Sequence, residues 1–172
     1  MSTVQRSDEH AELPLDPDAL RRPAGRDARP VHVQPRMLLA VFAGGVVGAP
    51  ARYGVALALP TRTGGWPWGT LLANLVGAFA LGALLEGLTR LGTDAGRRRL
   101  LRLGLGTGFI GAFTTYSTLA VEADLLVRAD RPALAATYAL VTVIAGLLLS
   151  TTGIQVAAVH HRRGSARVGA QP

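Results

Sequence analysis

Four long apolar segments, separated by short polar stretches, dominate the hydropathy pattern of this chain. They run from Met37 to Leu59, from Trp66 to Leu88, from Leu103 to Val121 and from Ala133 to Val159, and none contains more than one charged residue. About 20 helical residues cross the hydrocarbon core of a bilayer, so each segment is long enough to span it or nearly so. The pattern predicts an all-α membrane protein with a domain of four transmembrane helices over residues 37–159.

The two ends of the chain have a different composition from these segments. Residues 1–36 hold six arginines, six acidic residues and five of the ten prolines, without one aromatic side chain. Such a stretch buries too little apolar surface to offset the entropy of ordering it, so we expect a disordered N-terminal extension. The segment of residues 160–172 is short and basic, and we expect it to be a disordered tail as well.

The positions of the basic residues indicate an orientation in the cell inner (plasma) membrane. All 18 are arginines; fourteen lie before the first segment, between the second and third, or after the fourth, and only three lie in the other two connections. By the positive-inside rule, both termini are expected to be cytoplasmic. Because the arginines flank apolar spans and do not form a groove with aromatic residues, no nucleic-acid partner is expected despite the net charge of +7.

Small and polar residues recur on one face of the first two segments. The first carries Gly44, Gly48 and Arg52 at successive i, i+4 positions. The glycines favour close packing against another helix, whereas Arg52 either anchors the fold or attracts an anion. The second segment places Thr70 and Asn74 one turn apart, and Asn74 either bonds to a neighbouring helix or faces a permeating species.

The third segment is the least regular. Residues 104–118 combine four glycines with a run of hydroxyl residues, which together disfavour an uninterrupted helix. We expect a break between Gly111 and Thr118, whose freed carbonyls could coordinate a small cation; the alternative is a straight helix with its hydroxyls bonded four residues back. In the fourth segment Tyr138 and Thr142 begin a line of hydroxyls that serves either an anion or helix packing.

No segment carries the residues of a catalytic or proton-relay site. All four histidines lie outside the segments, cysteine is absent, and Glu122, Asp124 and Asp130 at the end of the third segment are expected to be solvated. A hydrolase or metalloenzyme needs a nucleophile, a base or metal ligands, and a proton-coupled transporter needs acids within the membrane. The chain is therefore not expected to be an enzyme, and passive permeation or a purely structural role remain.

Three motifs, in order along the chain, carry a resemblance to a known family. They are Gly44-Gly45-x-x-Gly48-x-x-x-Arg52-Tyr53, Gly69-Thr70-Leu71-x-x-Asn74-x-x-Gly77-x-Phe79-x-x-Gly82 and Gly108-Phe109-x-Gly111-x-Phe113-Thr114-Thr115-Tyr116-Ser117-Thr118. With them the chain resembles the Fluc/CrcB family of fluoride channels over residues 37 to about 158. The resemblance implies a fluoride-selective channel that passively exports cytoplasmic fluoride and gives fluoride resistance. The alternative is a small membrane scaffold bundle without transport activity.

The resemblance also implies an assembly and a set of site residues. The family forms an antiparallel, dual-topology dimer with two fluoride pores and a structural sodium ion at the dimer interface. Gly111 and Thr114 match the positions whose backbone carbonyls bind that sodium ion, and Arg52 and Thr70 are expected to have vestibule or structural roles. The implied fluoride pathway consists of Asn74, Tyr116, Ser117, Thr118, Leu119, Tyr138 and Thr142.

Two features depart from the family pattern. The family lines its pathway with two phenylalanines, whose positive ring edges face the anion, and the corresponding residues here are Tyr116 and Leu119. Tyr116 keeps a ring edge, but Leu119 has none. In addition, the arginine bias should hold the chain in one orientation. Because dual-topology proteins usually have nearly balanced arginine counts, this bias favours a dimer with an oppositely oriented paralogue over a dimer of the chain with itself.

Overall fold

The computed structural model describes residues 34–168, and side chains as far as residue 162. Every regular element in this range is helical, which confirms the all-α prediction for the described residues. The elements are α1 (Pro35–Ala58), α2 (Trp68–Arg90), α3 (Gly96–Leu101), a π-helical segment (Arg102–Ile110), α4 (Gly111–Phe113), α5 (Ser117–Arg128) and α6 (Pro132–Val168).

Three of these helices are individually long and apolar enough to cross a membrane. They are α1, α2 and residues Pro132–Arg162 of α6. They correspond to the first, second and fourth predicted segments. The third predicted segment is divided among the π-helical segment, α4 and α5, so no single helix in that part of the chain reaches a spanning length.

Close backbone contacts hold α2 against α6. A Cβ atom added at Gly82 would overlap the carbonyl oxygen of Ser150, and one added at Gly153 would overlap that of Phe79. Small residues allow helices in lipid to approach closely, because dispersion contacts then replace the hydrophobic driving force that water provides. The glycines on these two helices therefore set the separation of α2 and α6.

A second close contact joins α1 to the π-helical segment. The backbone at Gly44 and Gly48 lies against Gly104 and Phe109, and a Cβ added at Gly108 would lie 2.5 Å from the Val41 carbonyl oxygen. π-helical turns are rare and occur mostly as single-turn bulges, frequently at functional sites. Here the glycines of the wide π-helical turn let α1 pack directly on its backbone.

The last helix is longer than the sequence analysis predicts. The fourth segment was expected to end at Val159, but α6 continues to Val168, so residues 160–168 are helical and the prediction of disorder is wrong there. A helix does not end where it leaves the bilayer unless a residue breaks it, and residues 133–168 contain no proline.

The other disorder predictions fall mostly outside the part of the chain that the structure describes. Residues 1–33 and 169–172 are not described, so disorder there stays a prediction. Pro35 and Arg36, which the sequence analysis assigned to the N-terminal extension, form the start of α1. Proline is favoured in the first turn of a helix, because its missing amide hydrogen has no partner there in any case.

Candidate functional site

The backbone leaves the helical conformation between α4 and α5. Thr114 is extended, with φ −84° and ψ 160°, and the next helix begins at Ser117. This interruption lies inside the interval 111–118 in which the glycine and hydroxyl pattern predicts a break. Peptide groups here lack their helical partners, and in an apolar environment each needs another one.

Asn74 supplies partners for one peptide unit of the interruption. Its Nδ2 donates to the Thr115 carbonyl oxygen at 2.9 Å, and the Thr115 amide donates to Asn74 Oδ1 at 2.8 Å. In a continuous helix the Thr115 amide would instead bond to the carbonyl of Gly111. The Asn74 side chain therefore joins α2 to the interruption and leaves the Gly111 carbonyl without its helical donor.

Thr115 caps the helix that follows. Its Oγ1 accepts a hydrogen bond from the Thr118 amide at 3.1 Å and donates to Thr118 Oγ1 at 3.1 Å. A hydroxyl that accepts from an amide in the first turn of a helix replaces one of the missing backbone bonds. The Thr118 amide is the group that would bond to the Thr114 carbonyl in a continuous helix, so that carbonyl also lacks its usual donor.

Arg52 bridges the two sides of the interruption from α1. Its Nε donates to the Ala112 carbonyl oxygen at 3.2 Å, and its Nη1 lies 3.4 Å from Thr118 Oγ1. Ala112 belongs to α4, and the last carbonyls of a helix have no intrahelical donor, so the guanidinium supplies one here. These two contacts join α1 to α4 and α5.

A groove beside the interruption brings several of the predicted pathway residues together. It has a volume of about 380 Å³ and is formed by α2, the interruption, α5 and α6. The pathway residues that line it are Asn74, Tyr116, Leu119 and Thr142. Leu119 is buried, whereas 82% of Tyr116 is exposed.

The other three predicted pathway residues do not line this groove. Ser117 is exposed, and its Oγ lies 3.2 Å from Thr115 Oγ1. Thr118 faces Arg52. Tyr138 is completely buried and contacts a separate polar cluster.

That cluster is centred on Glu122, which the sequence analysis expected to be solvated. The expectation is wrong: Glu122 is partly buried, its Oε1 accepts from Thr70 Oγ1 at 2.9 Å, and its Oε2 accepts from Tyr138 OH at 2.7 Å. The Tyr138 ring also makes an edge contact with Trp66, with centroids 5.7 Å apart. Hydroxyl donors on α2 and α6 thus satisfy both oxygens of a carboxylate on α5.

Sequence reasoning missed Thr115 and Glu122 as residues of the site. For Glu122 one signal was available, since it lies one helical turn after Thr118 of the third motif. Thr115 was one hydroxyl in a run of similar residues. Only the position of the interruption distinguishes it from its neighbours.

Comparison with known proteins identifies the same family as the three sequence motifs. Residues 39–154 match the family model described as CrcB-like protein, Camphor Resistance (CrcB). The chain is 48% identical to the fluoride-specific ion channel FluC 1 of Cutibacterium acnes, over 72% of this chain and 83% of that protein. It is 43% identical to FluC 2 of Leifsonia xyli subsp. xyli, over 81% and 96%, and 40% identical to FluC 2 of Streptomyces avermitilis, over 70% and 73%. These matches confirm the resemblance that the three motifs carry.

Proposed function

Because this chain belongs to the CrcB family, we propose that it is a fluoride-specific ion channel of the membrane and not an enzyme. The observation that carries the proposal is the groove beside the interruption, which residues of the fluoride-channel motifs line. Its relatives in Cutibacterium acnes and Leifsonia xyli are named for the same activity. Passive export of fluoride down its electrochemical gradient would give the cell resistance to this ion.

The chemistry of the groove suits a small, strongly hydrated anion. A pore must replace the water around such an ion with hydrogen-bond donors, without binding it so tightly that it cannot leave. The Asn74 amide has two N–H groups, of which one donates to Thr115, so the second is available. The Thr142 hydroxyl donates to the Tyr138 carbonyl oxygen at 2.8 Å and can rotate toward another acceptor. Both donors are uncharged, which avoids a deep electrostatic well.

The full pathway in this proposal includes the groove and the polar cluster around Glu122. Asn74, Tyr116, Leu119 and Thr142 form the groove, and Ser117, Thr118 and Tyr138 continue the route along α5 and α6. Arg52 and Thr70 position residues at its sides through their bonds to Thr118 and Glu122. Because Leu119 has no aromatic ring, the route lacks one of the two aromatic contacts of the family pattern.

The proposed topology has four spans in each subunit. We assign the third span to the π-helical segment, α4 and α5 together, so that the interruption lies at membrane depth. Irregular backbone is tolerated there when protein or a watery cavity surrounds it, and Asn74, Arg52 and Thr115 supply such surroundings. The protein would lie in the inner membrane with both termini in the cytoplasm, as the arginine distribution indicates.

The proposed assembly is an antiparallel dimer, of the chain with itself or with an oppositely oriented paralogue. The face at the interruption is consistent with such contact, because Gly111 and Tyr116 are both exposed. An aromatic side chain that is 82% exposed beside a polar break is a natural contact for a second subunit.

Gly111 and Thr114 are proposed to bind a structural sodium ion through their backbone carbonyls. The fit rests on two hydrogen bonds: the amides that would bond to these carbonyls in a helix donate to Asn74 Oδ1 and Thr115 Oγ1 instead. Hard cations prefer oxygen ligands, and the described residues contain no cluster of His, Cys, Asp or Glu that would form a different kind of metal site. A bound cation would supply positive charge to two carbonyl oxygens whose helical amide donors are engaged elsewhere.

Efflux from liposomes tests the proposed function. The full chain, alone or purified with an oppositely oriented paralogue, is reconstituted into fluoride-loaded vesicles, and release is followed with a fluoride-selective electrode. We expect rapid release of fluoride and none of chloride from matched vesicles. Retention of fluoride by vesicles that contain the folded, assembled protein would contradict the proposal and favour the scaffold alternative.

A further inference from the structure

A second cavity lies beneath the loop that joins α1 to α2. Its volume is about 420 Å³, and no residue lines both this cavity and the groove beside the interruption. Loop residues Arg62 and Gly64 form one wall, and Glu122 and Leu126 of α5 form another. The cavity therefore connects the surface at this end of the molecule with the polar cluster around Glu122.

The loop over the cavity is held in place from two sides. Arg131, which immediately precedes α6, donates from Nη1 to the Gly64 carbonyl oxygen at 3.0 Å. The Gly65 amide donates to the Arg62 carbonyl oxygen at 2.7 Å, closing a tight turn in which Gly64 has φ +68°. This left-handed conformation favours glycine. The backbone at Arg62 is thus fixed relative to α6 and the cavity.

The Arg62 side chain is exposed and makes no hydrogen bond or ion pair within residues 34–162. Its neighbours differ in this respect. Arg128 pairs with Asp124 at 2.6 Å, and Arg131 is bonded to Gly64. Within the described part of the chain, Arg62 therefore presents a guanidinium without a partner at the wall of a cavity that Glu122 also lines.

We propose that this cavity is an anion-attracting vestibule and that Arg62 draws fluoride into it. This inference rests on the proposed function. The carboxylate of Glu122 would repel an anion at this end of the route, since the hydroxyls of Thr70 and Tyr138 solvate its charge without cancelling it. The charge of Arg62 opposes that repulsion. A charged cavity raises the local concentration of its counter-ion, whereas an exposed, hydrated guanidinium does not trap the ion.

The absence of cysteine from the chain allows the charge at this position to be changed in the folded protein. Arg62→Cys is purified, assembled, and treated with a cationic or an anionic thiol reagent before reconstitution. We expect the unmodified variant to lose about three- to tenfold in fluoride efflux at low ionic strength. The cationic reagent should restore efflux, and the anionic one should lower it further. Both effects should shrink as the Debye length falls from about 30 Å at 0.01 M salt to about 3 Å at 1 M.

Arg128→Cys is the matched control, because it removes the same charge at the same end of the molecule from a side chain that does not line the cavity. Its efflux should change less than twofold with either reagent. An equal response of the two variants to the reagents, or a response at position 62 that salt does not weaken, would overturn the vestibule. If Arg62→Cys does not assemble, Arg62→Lys and Arg62→Gln make the same comparison of charge.

The outcomes separate this inference from the proposed function. A wild-type protein without fluoride efflux contradicts the channel itself. Normal wild-type efflux that is insensitive to the charge at position 62 overturns only the role of Arg62.

Discussion

At the scale of single residues, three side chains replace the hydrogen bonds that the interruption removes. Asn74 bonds to both backbone groups of Thr115, Thr115 caps α5, and Arg52 binds the Ala112 carbonyl at the end of α4. At the membrane depth that we propose for the interruption, lipid supplies no hydrogen bonds, so each partner must come from the protein or from a watery cavity. Two of these residues, Asn74 and Thr115, also line the groove beside the interruption.

Substitution of Asn74 should therefore affect stability and transport together. Asn74→Ala leaves the Thr115 amide and carbonyl without partners, and each unsatisfied buried group costs about 1–3 kcal/mol. We expect a lower free energy of unfolding and a loss of fluoride efflux, measured by thermal unfolding in detergent and with the fluoride electrode.

Thr137→Ala is the control for Asn74→Ala. The Thr137 hydroxyl donates to the Ala133 carbonyl oxygen on an exposed face of α6, far along the chain from the interruption. This variant should retain wild-type stability and efflux. Wild-type efflux from Asn74→Ala would show that the amide is not part of the route.

At the scale of the elements, the contact between α1 and the π-helical segment depends on glycines. Gly48→Ala would place a methyl group on the Phe109 carbonyl oxygen, and overpacking of this kind costs about 1–3 kcal/mol. We expect a lower unfolding temperature and less assembled protein, measured by circular dichroism in detergent and by size-exclusion chromatography.

Gly45 lies on the same helix and provides the matched comparison. No atom lies within 4 Å of a Cβ added there, so Gly45→Ala should be neutral or should gain up to about 1 kcal/mol from its better helix propensity. Equal destabilisation by the two substitutions would exclude the α1 contact as the cause. It would indicate instead that replacing a glycine of α1 destabilises the protein whether or not the glycine lies in a contact.

The break between α4 and α5 leads to a prediction about sodium. If the Gly111 and Thr114 carbonyls bind this ion, sodium at about 100 times its Kd should add about 2.7 kcal/mol to the stability of the assembled protein. Exchange of sodium for N-methylglucamine during purification should lower the unfolding temperature and promote dissociation, measured by thermal unfolding and size-exclusion chromatography. Potassium at equal ionic strength is the control, and identical stability in all three salts would contradict the site.

At the scale of the whole molecule, the unequal distribution of arginines predicts a single orientation. The connection between α2 and α3 lies on the arginine-rich side, and the connection between α1 and α2 lies on the other. In intact cells, a membrane-impermeant maleimide should label Thr61→Cys and leave Ala95→Cys unlabelled until the cells are opened. Labelling of both variants in intact cells would indicate insertion in two orientations and favour pairing of the chain with itself.

Most of the architecture could be predicted from hydropathy alone. The bilayer has a constant thickness, so a local count of apolar residues is enough to locate α1, α2 and the main part of α6. The end of α6 was misplaced because hydropathy marks the edge of the bilayer, whereas a helix ends only where its hydrogen bonds are broken.

The candidate site could be predicted only in part. Its residue types were recognisable because glycines and hydroxyls disfavour a continuous helix, and because the motifs match a known family. The partners of those residues were not recognisable. Asn74 and Thr115 are 41 positions apart, and Thr70 and Glu122 are 52 apart. Arg52 had two possible roles in the sequence, and its contacts across the interruption favour one of them.

The sequence by itself determined where the chain is apolar and which connections are rich in arginine, and its glycines and hydroxyls disfavoured a regular helix in the third segment. These are properties of neighbouring residues in a solvent of known thickness and polarity. The packing of distant helices decided which carbonyls lose their helical donors, that Glu122 is held by two hydroxyls, and that Arg62 lies beside the cavity leading to it. A hydrogen bond depends on distance and direction, and only the tertiary structure specifies either for residues far apart in the chain.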